Sequence, residues 1–99
     1  MDIQALIKNL HPLEVKVLLA YTVKDELTAS RLEKDLGYKE GHANQAFSWL
    51  TGKELAEETG RTAHTYYEIT ELGRTVVKIG STIEERFVNF IKEHGAHIL

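Results

Sequence analysis

At 99 residues, 42% hydrophobic and 27% charged, the chain has the composition of an ordinary globular protein, with length for about one domain and a modest core. A formal charge of −3, with three bases against two acids in residues 1–24, three against five in 25–50 and six against eight in 51–99, excludes a basic arm. The absence of cysteine excludes disulfides and thiolate metal sites and fits a cytoplasmic location. No apolar run approaches the roughly 20 residues that cross a bilayer, and Met1-Asp2-Ile3-Gln4 lacks the basic region of a secretory signal. No membrane role is expected.

Along the chain, Ile3, Leu6, Ile7 and Leu10 fall at i, i+3, i+4 and i+7, one face of an amphipathic first helix. His11-Pro12 interrupts it. Proline is tolerated in a first turn, so a second helix is predicted from Pro12 to about Val23 with His11 near its cap. It is apolar on most sides (Leu13, Val15, Val17, Leu18, Leu19, Ala20), as a central buried element should be.

Thr28 is a suitable N-cap for the next helix, flanked by Leu27 and Leu32 as a hydrophobic staple. Ala29, Leu32 and Leu36 line one face, and Gly37 supplies a left-handed end. After the short linker Gly37-Tyr38-Lys39-Glu40-Gly41, Ala43, Ala46, Phe47 and Leu50 repeat the helical pattern up to Gly52. Two short helices joined by a tight glycine-containing turn form a helix-turn-helix.

A hairpin follows: Leu55 to Glu58 as one strand, Thr59-Gly60-Arg61-Thr62 as turn, and Thr65 to Ile69 as the second strand. Thr70 caps a helix carrying Leu72, Val76, Val77 and Ile79 and broken by Gly80. Ser81-Thr82-Ile83-Glu84 has the pattern of a capping box for a last helix with Ile83, Phe87, Phe90 and Ile91 on one side. The expected fold is mainly α with a small β-hairpin, a winged helix-turn-helix occupying residues 1–99 as one domain.

In that fold the helix before the hairpin is the recognition helix. Its outward face carries His42, Asn44, Gln45, Ser48 and Thr51. Asparagine and glutamine can pair with adenine edges, but the face holds no Lys or Arg, so a solvated polar face remains the competing reading. Lys39 and Lys53 flank the helix, and the wing tip holds Arg61 and His64, completing the candidate nucleic-acid contacts. Arg74, Lys78, Arg86 and Lys92 alternate with Glu71, Glu84, Glu85 and Glu93, which suits intrahelical pairing more than a basic face. Trp49 is expected to pack under the wing. Of the adjacent Tyr66 and Tyr67, one should face the core and the other solvent or the last helix. His94 and His97 have usable metal spacing but no accompanying carboxylate or thiolate pattern. The chain has no glycine-rich phosphate loop and no nucleophile elbow. No catalytic, cofactor-binding or metal-binding residue is expected.

Three stretches together resemble the amino-terminal segment of the phenylalanine–tRNA ligase alpha subunit, of the archaeal and eukaryotic type shared with some bacteria. Leu10-His11-Pro12-Leu13-Glu14-Val15-Lys16-Val17-Leu18 is similar to the family's opening helix. Ala46-Phe47-Ser48-Trp49-Leu50 followed by Lys53 resembles an Ala-x-x-Trp-Leu-x-x-Lys-Gly run. Tyr67-Glu68-Ile69-Thr70-Glu71-Leu72-Gly73-Arg74 resembles a strand entering Leu-Thr-x-x-Gly, and Gly80 to Arg86 resembles a segment ending in Glu-x-Arg. Glu54 stands where the family usually has the glycine after Lys53, so the helix is expected to end at Gly52.

The resemblance implies a fragment of a longer chain whose ATP, magnesium and phenylalanine sites lie beyond residue 99, with no cofactor in this part. It implies a parent enzyme that charges tRNA(Phe) as two alpha and two beta subunits, with tRNA and the beta subunit as partners. The alternative is a small dimeric transcription regulator binding DNA, paired through Ile3, Leu6, Ile7, Phe87, Phe90 and Ile91. A protein–protein module, which the acidic balance favours, is a third.

Overall fold

A computed structural model describes residues 2–21, 26–37, 39, 41–59 and 65–98, with the backbone alone at 26, 35, 36 and 94–98. Helix α1 (Ile3–Lys8) starts at Asp2, whose carboxylate accepts the N–H groups of Gln4 and Ala5 at 3.0 and 3.3 Å. Helix α2 (Pro12–Ala20) starts at His11. Its Nδ1 accepts the Leu13 N–H at 3.1 Å while Glu14 Oε1 accepts the His11 N–H at 2.9 Å, a reciprocal capping box. Tyr21 closes α2; residues 22–25, into which the predicted helix ran, lie outside the described residues.

A two-residue strand β1 (Glu26–Leu27) follows, which the residue pattern does not predict. Two residues offer no alternation to detect, and the segment becomes a strand only because a partner supplies its ladder. Helix α3 (Ala29–Leu36) has the expected ends, Thr28 accepting the Arg31 N–H and Gly37 left-handed at φ +67°. Then come α4 (His42–Gly52), β2 (Ala56–Glu58), β3 (Tyr67–Ile69), α5 (Glu71–Ile83) and α6 (Glu85–Ile98). The strands form an antiparallel sheet in the order β1-β3-β2, with Leu27 opposite Tyr67, and Ala56 opposite Ile69. Residues 60–64, which hold all of the predicted turn but Thr59, lie outside the described residues.

The core gathers the apolar faces foreseen from periodicity: Ile7, Leu10, Val15, Leu18, Leu19, Leu32, Ala43, Phe47, Leu50, Val76 and Phe87 are all buried. Helix α2 packs against both α4 and α6, which explains why it is apolar nearly all round. Tyr21 ties the sheet to this core by donating its hydroxyl to the Tyr67 carbonyl at 2.7 Å. Burial, and secondarily the proximity of Tyr67 and Glu68, pushes the Tyr21 phenol above its ordinary value. A phenol whose folded pKa is raised contributes stability fully below its unfolded value of about 10 and loses it as pH climbs through the folded value. Denaturant melts are therefore expected to show stability falling above about pH 10. Tyr21→Phe should flatten that fall and cost about 1 kcal/mol at neutral pH for the lost hydrogen bond.

At the end of α4, Leu55 N–H bonds the Leu50 carbonyl at 2.9 Å and Glu54 N–H bonds the Thr51 carbonyl at 3.1 Å. This is a Schellman ending, and the residue it places in the left-handed region is Glu54, at φ +62°. The helix ends at Gly52, as expected. A side chain at a left-handed position costs roughly 1 kcal/mol relative to glycine. Glu54→Gly is accordingly expected to raise stability by about 0.5–1 kcal/mol, read as a higher denaturant midpoint with unchanged slope.

Two boundaries differ from expectation. Gly80 does not break its helix; α5 continues through it to Ile83, and Ser81-Thr82-Ile83 belong to α5 instead of capping α6. Gly80 is there for packing: a Cβ on it would lie 2.8 Å from Phe87 Cε2, so it lets the α6 ring press against α5. The kink falls at Glu84, whose backbone turns to extended angles. In consequence Ile83 is off the α6 core face and 54% exposed.

Candidate nucleic-acid interface

Helix α4 is held from beneath by Ala43, Ala46, Phe47 and Leu50, all buried. Phe47 carries the sheet above it, its ring stacked on Tyr67 at 4.1 Å between centroids and 8° between planes. With that side committed, His42, Asn44, Gln45 and Ser48 are left exposed on the opposite face. The structure thus brings four of the candidate contacts together. Lys39 is exposed just ahead of the helix, its carbonyl accepting the His42 N–H at 3.0 Å. Thr51 is half-buried, and its hydroxyl donates back to the Ser48 carbonyl at 3.1 Å. Arg61 and His64 lie outside the described residues.

Lys53 has a different engagement. Its Nζ donates to both carboxylate oxygens of Glu14, at 2.7 and 2.9 Å, and Glu14 is only 1% exposed. The pair joins the first turn of α2 to the C-cap of α4, where each charge also complements a helix dipole. Glu14 is not among the residues that the sequence marks as functional candidates. Its signal was there: Glu three residues after a cap position, N3 of a capping box.

Trp49, expected as core under the wing, is not among the fully buried residues. It is half-buried and meets the exposed His11 ring, 4.8 Å between centroids and tilted by 44°. The ring stacked on Phe47 is that of Tyr67, from β3. Arg86, expected to pair along its helix, reaches across to α1. Its guanidinium donates to the carbonyls of Leu10, Ile7 (2.9 Å) and Lys8 (3.3 Å), and its Nε to Glu84 at 3.3 Å. It satisfies the open carbonyl end of α1, a cation where the dipole favours one.

The hairpin body is acidic: Glu57 and Glu58 are exposed, and Glu57 faces Glu68 across the ladder. Among the described residues no group of three His, Asp or Glu side chains could hold a metal ion. The side chains of His94 and His97 lie outside them. No helix among the described residues is long and apolar enough to cross a membrane.

Element order, the helix pair α3–α4 and the hairpin β2–β3 define a winged helix-turn-helix domain. Solved structures of that class superpose on it. ZitR of Lactococcus lactis matches with TM-score 0.68 and 18% identity, over 91% of this chain and 63% of that one. The adhesin competence repressor AdcR of Streptococcus pyogenes matches with TM-score 0.66 and 20% identity, over 87% and 66%. No family model matches the chain. Among curated proteins, it is 44% identical over 90 residues to the phenylalanine–tRNA ligase alpha subunit of Treponema pallidum, covering 91% of this chain and 16% of that protein. The alpha subunit of Borreliella burgdorferi is 38% identical over 88 residues, covering 89% and 16%. The chain therefore spans about 16% of the length of the relatives it matches.

Proposed function

We propose that residues 1–99 form the amino-terminal winged-helix module of a phenylalanine–tRNA ligase alpha subunit, of the type shared by archaea, eukaryotes and some bacteria. The observation that carries this reading is 44% identity over 90 residues to an alpha subunit of which the matched stretch is 16%. The module has no chemistry of its own. It helps hold tRNA(Phe) in the cytoplasm while ATP, magnesium and phenylalanine are bound elsewhere in the parent, beside the beta subunit. The α4 face is the contact surface, with Lys39 and Arg61 as its phosphate partners.

Titration of the chain with tRNA(Phe) and with duplex DNA at low and moderate salt tests this. With about two phosphates neutralised, the affinity for tRNA should fall with salt on a shallow slope, and Lys39→Ala or Arg61→Ala should each reduce that slope by about one. Absence of tRNA binding even at low salt would defeat direct contact.

The fold likeness to a repressor favours a second reading, a DNA-binding regulator. Against it, Ile7, Phe87 and Phe90, expected at its dimer interface, are buried in the chain's own core. Tighter binding to duplex DNA than to tRNA would support it.

A further inference from the structure

The contact face has a peculiarity that bears on what it can hold. From His42 to Gly52 helix α4 contains no Lys or Arg, and the lysine that follows is neutralised by Glu14. Glu57 and Glu58 stand exposed on the neighbouring strand. Duplex binding draws most of its affinity from phosphate neutralisation, which this surface is poorly equipped to provide. What it does offer is an ordered aromatic pair. The His11 imidazole is oriented by its Nδ1 bond to the Leu13 N–H at 3.1 Å, and Trp49 meets it at 4.8 Å. His11 is exposed and Trp49 only half-buried, so ring surface remains open to solvent.

Gln45 and Ser48 are exposed, and they stand four and one positions before Trp49. Gln45 at i−4 is a neighbour of Trp49 on the helix surface. An amide that can both donate and accept thus lies one turn from an aromatic ring. A stacking contact itself requires no cation, and unpaired RNA bases are recognised by stacking on aromatic side chains with hydrogen bonds to their edges. We propose that the His11–Trp49 pair is a stacking shelf for an unpaired base of an RNA loop, with Gln45 bonding the edge of that base. This rests on the nucleic-acid reading above and specifies its ligand as single-stranded, not duplex.

Trp49 is the sole tryptophan of the chain, so its emission reports on the shelf alone. The experiment uses a labelled short single-stranded oligoribonucleotide and the same strand annealed into a duplex. Binding is followed by anisotropy of the label and, separately, by Trp49 emission. His11→Asn keeps a strong N-cap and removes the ring; Trp49→Leu keeps an apolar side chain; circular dichroism checks that both fold.

The expected result is quenching of Trp49 by the single strand at the same midpoint as the anisotropy change, with the duplex weaker. Trp49→Leu should raise Kd by about 5- to 150-fold, the equivalent of one lost stacking contact, and His11→Asn by less. Binding of the strand by anisotropy with unaltered emission and unaffected variants would overturn the shelf and leave the nucleic-acid reading standing. Preference for the duplex would overturn it too. If no nucleic acid binds, both fall together.

Discussion

Lys53→Met is expected to destabilise the fold by about 3 kcal/mol, because it strands Glu14 as an uncompensated charge in the core. Glu14 is 1% exposed, and its carboxylate has three bonds, one from the His11 N–H and two from Lys53 Nζ. The estimate sits at the low end of what breaking a buried pair costs because the Lys53 side chain is itself 34% exposed, and water can follow it in. Glu14→Leu alone should also be costly, since it removes the capping-box acceptor and leaves the Lys53 ammonium without its partner. The double variant Glu14→Leu/Lys53→Met should recover most of the loss, as apolar replacements of buried pairs often do. A double-mutant cycle in denaturant gives the coupling directly. Additive effects would show that the pair is only incidental. The same variants separate two roles for Lys53: as an interlock it changes stability, whereas as a nucleic-acid contact it would change affinity in a protein of unaltered stability.

Gly73→Ala is the second large effect, expected at about 2–3 kcal/mol despite the better helix propensity of alanine. A Cβ at Gly73 would collide with the Leu55 carbonyl oxygen and approach Ile69 Cγ1 to 2.7 Å. That carbonyl cannot simply move. It accepts the Thr70 N–H at 3.1 Å, while Thr70 Oγ1 donates to the Glu54 carbonyl at 2.7 Å and accepts the Gly73 N–H at 3.0 Å. The start of α5 is thus laid directly on the end of α4. Gly52→Ala is the control: nothing lies within 4 Å of its added Cβ, so the propensity gain of up to about 1 kcal/mol should appear there unopposed. Equal thermal midpoints for the two variants would refute the packing argument.

These two sites change what the sequence resemblance means. His11 and Glu14 in the first stretch meet Trp49 and Lys53 in the second, as a ring pair and an ion pair. Gly73 in the third packs on Leu55, and Arg86 in the segment after it caps α1. Much of the residue pattern that carries the resemblance is therefore the wiring of the fold. The exposed α4 residues that would contact a ligand, His42, Asn44, Gln45 and Ser48, fall mostly outside those stretches. This is why the fold was easier to read than the interface.

Local chemistry was enough for most elements. Three- and four-residue spacing of apolar side chains, Pro12 after His11, Thr28 and Thr70 as caps, and Gly37 as a left-handed end locate helices α1 to α5 without reference to any tertiary contact. Each is a choice a segment makes with its own backbone. Distance along the chain decided the rest. β1 exists because β3 pairs with it, Gly80 is helical because Phe87 needs the space, and Lys53 is held by a carboxylate 39 positions away. Charge alone could not distinguish a lysine free for phosphate from one that neutralises a buried glutamate. That distinction depends on which side chains share a low-dielectric interior, and only the tertiary structure brings them together.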